Sequence, residues 1–369
     1  MGLLRLSDAP IIGGDGADLL VLHPKAKSGP VLTLPTAFEP CWTFSEITKA
    51  EAIEPNSTSL ANEIHSHGWI AYSAVGTKGD WDLFVMRPDG TDRRKLTDTR
   101  EFNETGVRFS PDGKRMLYYR QPVAEPVDNN TYGTFELVLA DANGANGVSY
   151  GAEWPWACWG PDSTSFASIT PGGIKIVDAS TRKVLRGLPR KGFVEQLSWS
   201  PDGRGFTGTA NGLGQFWTIG VLDAASGKIG AASEIERYNC TPDWMPDSRH
   251  VLYSRGIIPN EGGRAELWTA ASDGRELRML YAEAGRHVYG GASSPDGRYL
   301  LFTRSEEDLG RVAHAKTTMA IIRYADAPML GDESDALRKR FPDARRGSRL
   351  DLGPGWEPHW TLAKIFLKP

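Results

Sequence analysis

Three arginines hold equivalent positions in a pattern that recurs along the chain. Arg120, Arg255 and Arg304 each come nine residues after the proline of a Pro-Asp turn, and each ends an alternating apolar segment. Guanidinium groups bind carboxylates through two parallel hydrogen bonds. The pattern therefore predicts a site for a ligand that carries carboxylates, unless each arginine pairs with a nearby acidic residue such as Glu125 or Glu306.

Histidines offer a second kind of chemistry. His65 and His67 form a His-Ser-His segment, and alternate residues of an extended chain point to one side. Imidazole nitrogens bind divalent metals, so His65, His67 and His359 are the candidate metal ligands. The alternative is that the first two lie in a solvated loop and that His359 is a structural histidine.

His287 and Tyr289 come just before a predicted first strand and are the candidate catalytic residues. Either could remove a proton next to a substrate carboxylate that an arginine neutralises, which would begin β-elimination from a uronate. Packing of Tyr289 and hydrogen bonding of His287 would explain the same residues without catalysis.

The starts of other first strands combine carboxamides, carboxylates and aromatic rings, as sugar-binding surfaces do. The candidate ligand-binding residues there are Asn103, Glu153, Trp154, Gln196 and Asn239.

A repeated unit positions all these residues. It consists of an extended stretch, a Pro-Asp turn and an alternating apolar strand, as in VRFSPDGKRMLYYR and LSWSPDGRGFTGTA. Proline presets φ in the turn, aspartate caps it and glycine accepts a positive φ. Successive turns are 40 to 50 residues apart. Four short strands in such an interval are typical of a propeller blade.

The two ends of the chain carry the same segment. Residues 3–47 align without a gap with residues 321–365, at a constant offset of 318. We therefore predict that two C-terminal and two N-terminal strands complete one blade, which would remove its exposed edges. The alternative is a duplicated loop with no role in closure. Seven residues anchor the predicted first strands: Trp42, Phe109, Trp159, Trp199, Trp244, Ser293 and Trp360.

The prediction is thus an all-β fold, a single domain over residues 1–369 formed by a seven-bladed β-propeller of four-stranded antiparallel blades. The predicted blades are 37–100, 101–152, 153–193, 194–238, 239–286, 287–353, and 354–369 joined with 1–36.

The composition of the chain argues against several kinds of partner and scaffold. A net charge of −4 gives no reason to expect nucleic acid as a partner. No apolar run is long enough for a membrane span, and no signal peptide is visible in the chain as given. The three cysteines, Cys41, Cys158 and Cys240, fit neither a metal motif nor a disulfide scaffold.

The Pro-Asp-Gly turns at 111–113, 201–203 and 295–297, with Asp-Gly hairpins at 89–90 and 273–274, resemble TolB-like propeller repeats, also called WD40-like or PD40 repeats. The resemblance covers essentially the whole chain. It implies a bacterial propeller in the periplasm or secreted. Members of this group include protein-binding propellers without catalysis and oligogalacturonate lyase-type enzymes, whose His-rich metal cluster is not reproduced in this sequence.

Two functions follow from the resemblance and the residues together. The first is a monomeric binding module that recognises a protein or a saccharide through one face. The alternative is a polysaccharide lyase-like enzyme that cleaves an acidic, uronate-containing oligosaccharide by β-elimination, with a divalent metal ion as cofactor.

The predicted site lies on one face of the ring. Consecutive strands of a blade are antiparallel, so second-strand ends and first-strand starts meet on the same side. We expect the three arginines to share that face with His65, His67 and His287, and to keep their guanidinium groups partly exposed.

Overall fold

The structure is a computed structural model that describes residues 57–127, 135–256, 264–306, 316–332 and 334–365, together with four two-residue strands before residue 57. The chain divides into two compact units, Met1–Ala52 and Ile53–Pro369. No helix in the described ranges has the length and apolar character needed to cross a membrane.

The N-terminal unit repeats a strand pairing found near the other end of the chain. Gly2–Leu3 pairs antiparallel with Leu32–Thr33, and Ile11–Ile12 pairs parallel with Lys27–Ser28. The same pairings recur 318 residues later. There, residues 320 and 321 pair with 351 and 350, and residue 329 bridges residue 345. The duplicated sequence thus specifies one backbone arrangement twice.

The second unit is a propeller whose described sheets form six blades. Blade 1 contains Trp356–Thr361, Trp69–Val75, Trp81–Met86 and Arg94–Lys95. Blade 2 contains Phe102–Phe109, Arg115–Pro122, Glu136–Asp141 and Val148–Gly151. Blade 3 contains Cys158–Trp159, Ser165–Thr170, Gly173–Asp178 and Val184–Leu188.

The other three blades follow the same antiparallel order. Blade 4 contains Phe193–Trp199, Gly205–Ala210, Thr218–Asp223 and Ile229–Ala231. Blade 5 contains Asn239–Trp244, His250–Arg255, Glu266–Ala271 and Arg278–Ala282, with Met329–Leu330 added in parallel at its outer edge. Blade 6 contains His287–Ser293, Tyr299–Ser305, Thr318–Arg323 and Arg349–Pro354. Helices are short: Ser57–Ile64, Asp335–Arg340 and the 3-10 turn Tyr324–Asp326.

The prediction of seven blades is wrong. Trp356–Thr361 pairs with Trp69–Val75, with His359 opposite Ala71 and Thr361 opposite Trp69. One C-terminal strand and three strands that follow the helix Ser57–Ile64 therefore form a single blade. The predicted first and last blades are this one sheet, and the described N-terminal strands are not part of it.

The miscount has a sequence cause. FEPCWT at 38–43 is a copy of WEPHWT at 356–361, and both contain an apparent first-strand tryptophan. Only the second copy lies in the described residues, where it supplies the first strand of blade 1. Counting Trp42 as well adds a seventh blade, for which the described strands form no further propeller sheet.

Hydrogen bonds between neighbouring blades hold the ring together. The indole N–H of Trp159 donates to the backbone oxygen of Arg108 at 3.0 Å, from blade 3 to blade 2. Around the Pro-Asp turns, the backbone N–H of Asp112 donates to the hydroxyl of Ser163 at 3.0 Å. Within blade 1, the indole N–H of Trp360 donates to the backbone oxygen of His67 at 2.7 Å, which ties the C-terminal strand to the segment before Trp69–Val75.

Candidate binding cavity at the channel mouth

Each blade has one left-handed residue at the same position, in its first strand or, in blade 3, just before it. These residues have φ between 49° and 67° and are Gly106, Trp156, Gln196, Thr241, Gly290 and Glu357. The strand register shifts around five of them, as in a β-bulge. Side chains other than glycine adopt this conformation at a cost of about 1–3 kcal/mol. Its recurrence in every blade shows that the inner strands are built to turn particular side chains toward the channel.

The first strands enclose a cavity of about 430 Å³ on the propeller axis. Its wall is formed by the residues two positions after each left-handed one: Arg108, Cys158, Ser198, Asp243, Ala292 and His359. In the described first strands, no residue that precedes a left-handed one lines it. The cavity therefore ends at the level of the six left-handed residues. Beside this inner end lies a buried cluster that includes Trp81, Trp356 and Tyr289.

The other end of the cavity reaches the surface that carries the Pro-Asp turns. Five prolines of these turns line it: Pro111, Pro161, Pro201, Pro246 and Pro295. Leu362 stands at the corresponding position of blade 1 and is 42 % exposed. We call this set of five prolines and Leu362 the mouth ring. The aspartates that follow the prolines cap their own turns, as when Asp202 accepts from the backbone N–H of Arg204 at 3.0 Å.

The charged groups in the wall make hydrogen bonds within the cavity. The Arg108 guanidinium donates to the Glu357 carboxylate at 2.6 Å and to the backbone oxygen of Val107 at 2.9 Å. Asp243 accepts from the Ser198 hydroxyl at 2.7 Å and from the backbone N–H of Trp244 at 2.9 Å. Burial raises the pKa of Asp243, which Arg108 partly opposes.

The remaining titratable groups at the cavity are neutral near pH 7 or close to titrating there. Burial lowers the pKa of His359 to about 3, and its Nδ1 accepts from the backbone N–H of Phe109 at 3.2 Å. Burial and repulsion by Glu357 raise the pKa of Glu195, next to Gln196, to about 7. Burial also raises the pKa of Cys158, so its sulfur is a thiol rather than a nucleophilic thiolate.

Comparison with known proteins identifies the fold. No protein-family model matches the sequence. A 68-residue segment is 40 % identical to the Tol-Pal system protein TolB of Anaeromyxobacter sp. (strain K), over 18 % of this chain and 14 % of that protein. The crystal structure of TolB from Acinetobacter baumannii superposes with a TM-score of 0.56 at 16 % identity, covering 80 % of this chain and 67 % of that one. The fold is that of a TolB-like propeller.

The likeness has limits that matter for function. The sequence match spans about a seventh of the TolB relative's own length, so that protein's partners do not transfer with it. Oligogalacturonate lyase from Vibrio parahaemolyticus is more distant, with a TM-score of 0.42 at 14 % identity over 69 % of this chain and 70 % of that one.

The three predicted arginines of this TolB-like propeller are ion-paired. Arg120 pairs with Glu136, and Arg255 pairs with Glu234. Arg304 lies 2.7 Å from Glu283 and 2.8 Å from Asp351. Arg255 and Arg304 are only 8 % and 4 % exposed. The expectation of partly exposed guanidinium groups is therefore wrong for these two, and no carboxylate ligand is needed to neutralise them.

His65 and His67 lie on the opposite face from the arginines, so the expected shared face is wrong. His65 contacts Asp89 at 2.6 Å, and His67 contacts Asp296 at 2.8 Å. Both aspartates belong to turns on the mouth face. The two histidines precede the second strand of blade 1, whose start and end lie on opposite faces.

The three histidines predicted to bind a metal do not lie together either. His359 lines the cavity, whereas His65 and His67 bond separate aspartates outside it. Across the described ranges, no three His, Cys, Asp or Glu side chains are arranged to hold a metal ion.

The candidate catalytic residues are buried. His287 is 2 % exposed at the start of the first strand of blade 6, and its Nδ1 accepts from the backbone N–H of Ala265 at 2.9 Å. Tyr289 is 5 % exposed and belongs to the aromatic cluster at the inner end of the cavity. Both positions are those of packed residues rather than of groups that meet a dissolved substrate.

Of the predicted ligand-binding residues at first-strand starts, Gln196 alone lines the cavity. Its side-chain oxygen accepts from the backbone N–H of Thr241 at 2.6 Å. Asn103 and Asn239 are buried, and each donates to a backbone oxygen nearby. Glu153 is exposed, and the Trp154 ring packs edge-on against Phe166 at 5.8 Å.

Arg108, Ser198 and Asp243 of the cavity wall were not among the predicted site residues. A usable signal was present, because each wall residue stands directly before the anchor residue of its unit, as in Arg-Phe, Ser-Trp, Asp-Trp and His-Trp. An anchor packed between blades leaves its neighbour facing the axis.

Proposed function

We propose that this TolB-like propeller is a non-catalytic binding module that takes a protruding segment of a protein ligand into the cavity through the mouth ring. The cavity on the axis, about 430 Å³ in volume, is the observation that carries the proposal. Pockets of this size, lined by aromatic rings with a few placed polar groups, are the usual form of a ligand site.

The chemistry of the mouth supports a protein ligand. The five prolines and Leu362 form an apolar centre, and the aspartates that cap the turns surround it together with neighbouring basic residues. An apolar core with a polar rim is the common anatomy of protein interfaces. The turns are short and held by hydrogen bonds, so little ordering cost would accompany binding.

The lyase alternative lacks comparable support. Its candidate base His287 is buried, its candidate arginines are ion-paired, and no metal-binding set is present in the described residues. Saccharide binding by the residues first considered also loses support, since Asn103 and Asn239 bond the protein's own backbone.

A steric block tests the proposal. Ala292 belongs to the cavity wall, and Ala292→Trp should fill the space that the ligand segment needs. Ser198→Trp is a second block from blade 4, and Val184→Trp on the outer strand of blade 3 is the matched control. The probes are fluorescent, amidated pentapeptides Gly-Leu-Xaa-Leu-Gly with each amino acid at the central position, measured by anisotropy.

We expect the unaltered protein and Val184→Trp to bind at least one peptide with equal affinity, and a folded blocking variant to bind it about 10-fold or more weakly. Circular dichroism shows which variants are folded. Equal binding by a folded blocking variant, or no binding of any peptide by the unaltered protein, would refute the proposal.

A further inference from the structure

We propose that the group which enters the cavity is cationic, a guanidinium or an ammonium of the ligand. This inference rests on the proposed function and specifies the chemistry of its ligand. The charges that the cavity presents are not balanced.

Acidic groups outnumber basic ones along the wall. The charged residues that line the cavity are Asp243, Glu357 and Arg108, and a third carboxyl, Glu195, lies near Glu357. His359 adds no positive charge near neutral pH, because burial lowers its pKa to about 3. Arg108 is thus the single cation that faces these carboxyls from the described lining.

The Arg108 guanidinium already forms a salt bridge with Glu357. It donates to the Glu357 carboxylate at 2.6 Å, to the Glu357 backbone oxygen at 3.3 Å and to the Val107 backbone oxygen at 2.9 Å. These bonds fix the guanidinium against the wall of blades 1 and 2. An anionic ligand would have to displace Glu357 to use this cation.

Asp243 is left without a salt bridge in the described residues. It accepts from Ser198 and from the backbone N–H of Trp244, and neither donor carries a charge. A buried carboxylate is costly unless an opposite charge compensates it. A cationic ligand group beside Asp243 would supply that charge, and the nearby Trp199 and Trp244 rings could add cation–π attraction.

The groups around the cavity also predict a pH dependence of binding. Burial raises the pKa of Asp243, and the charges that face it are Arg108 and Glu357. Burial raises the pKa of Glu195 to about 7, and it faces Glu357 from blade 1 and the Cys240 thiol from blade 5. Glu195 gains negative charge as the pH rises through about 7, so affinity for a cation should increase between about pH 6 and about pH 8.

The test compares Gly-Leu-Xaa-Leu-Gly peptides with arginine, its neutral isostere citrulline, or glutamate at the centre. We expect the arginine peptide to bind about 10-fold to 100-fold more tightly than the citrulline peptide, and the glutamate peptide most weakly. Asp243→Asn should reduce the arginine preference, and Glu195→Gln should flatten its pH dependence. Glu276→Gln, an exposed carboxylate on the same face outside the cavity lining, is the control and should change neither.

Each outcome separates this inference from the proposed function. If the arginine and citrulline peptides bind equally and Ala292→Trp weakens both, the cavity binds peptides but the cationic inference is wrong. A preference for the glutamate peptide would also overturn it. If arginine-peptide binding persists unchanged in a folded Ala292→Trp variant, the proposed function itself fails.

Discussion

The two faces of the propeller manage their charges in different ways. On the face of the second-strand ends, Arg120, Arg255 and Arg304 neutralise neighbouring carboxylates. On the mouth face, short turns surround a cavity in which Asp243 has hydrogen bonds but no salt bridge in the described residues. The conspicuous arginines thus lie on a face where the protein's own carboxylates neutralise them, and the unbalanced charge lies behind the short turns of the mouth face.

The difference follows from where each charge sits in its strand. The arginines lie near the ends of second strands. Arg255 and Arg304 find their glutamates in the segments that follow the outer strands of the preceding blades. The wall residues follow a left-handed residue in first strands, so they face the axis, where few partners are available. Position relative to the bulge, rather than residue type, decides which charges remain for a ligand.

The largest expected effect tests whether the arginine face is structural. Arg304→Ala would leave Glu283 buried without its main partner, and breaking a buried pair in this way costs about 3–5 kcal/mol of unfolding free energy. Arg120→Ala removes the equivalent but more exposed pair and should cost within about 1 kcal/mol. Urea unfolding measures both. Equal, small losses would show that Arg304 is dispensable for the fold and restore it as a candidate ligand residue.

Glu104 sharpens the comparison, because it is a buried carboxyl on the arginine face that no salt bridge neutralises in the described ranges. It pairs with the hydroxyls of Thr97 and Thr99. Burial, with added repulsion from Asp82 and Asp80, raises its pKa to about 7. The folded protein therefore holds this proton more tightly than the unfolded chain does, and the stability that it contributes is lost as the pH rises from the ordinary value through about 7.

Glu104→Gln should consequently be more stable than the unaltered protein at about pH 8, by on the order of 1–3 kcal/mol, and lose that advantage near pH 5. The exposed neighbour Glu101→Gln is the control and should follow the unaltered protein at every pH. Thermal or urea unfolding across this range provides the measurement. A Glu104→Gln advantage that does not depend on pH would contradict the charge explanation.

Much of the fold was predictable from local chemistry. The Pro-Asp turns and the alternating segments beside them predict four-stranded antiparallel blades, which the structure shows. The number of blades was not predictable in this way, because Trp42 and Trp360 stand in nearly identical segments. Only the pairing of the second segment with Trp69–Val75 distinguishes their roles. Long-range pairing of this kind leaves no trace in a local pattern.

The site was harder to predict for two physical reasons. A left-handed residue such as Gln196 or Thr241 interrupts the two-residue alternation, so facing directions inferred from a regular strand fail after it. The partners of the arginines are also distant in sequence. Arg255 and Arg304 each pair with a glutamate 21 residues earlier, a repeated spacing that the sequence contains but that nearby acidic residues obscured.

Hydrogen–deuterium exchange with the arginine pentapeptide tests the central claim, that the mouth face is the binding face. Protection of the segments 109–113, 199–203, 244–248 and 293–297, which surround the mouth, is the predicted result, with unchanged exchange at the ends of the second strands near Arg120, Arg255 and Arg304. Protection confined to those strand ends would contradict the account and place the ligand on the arginine face.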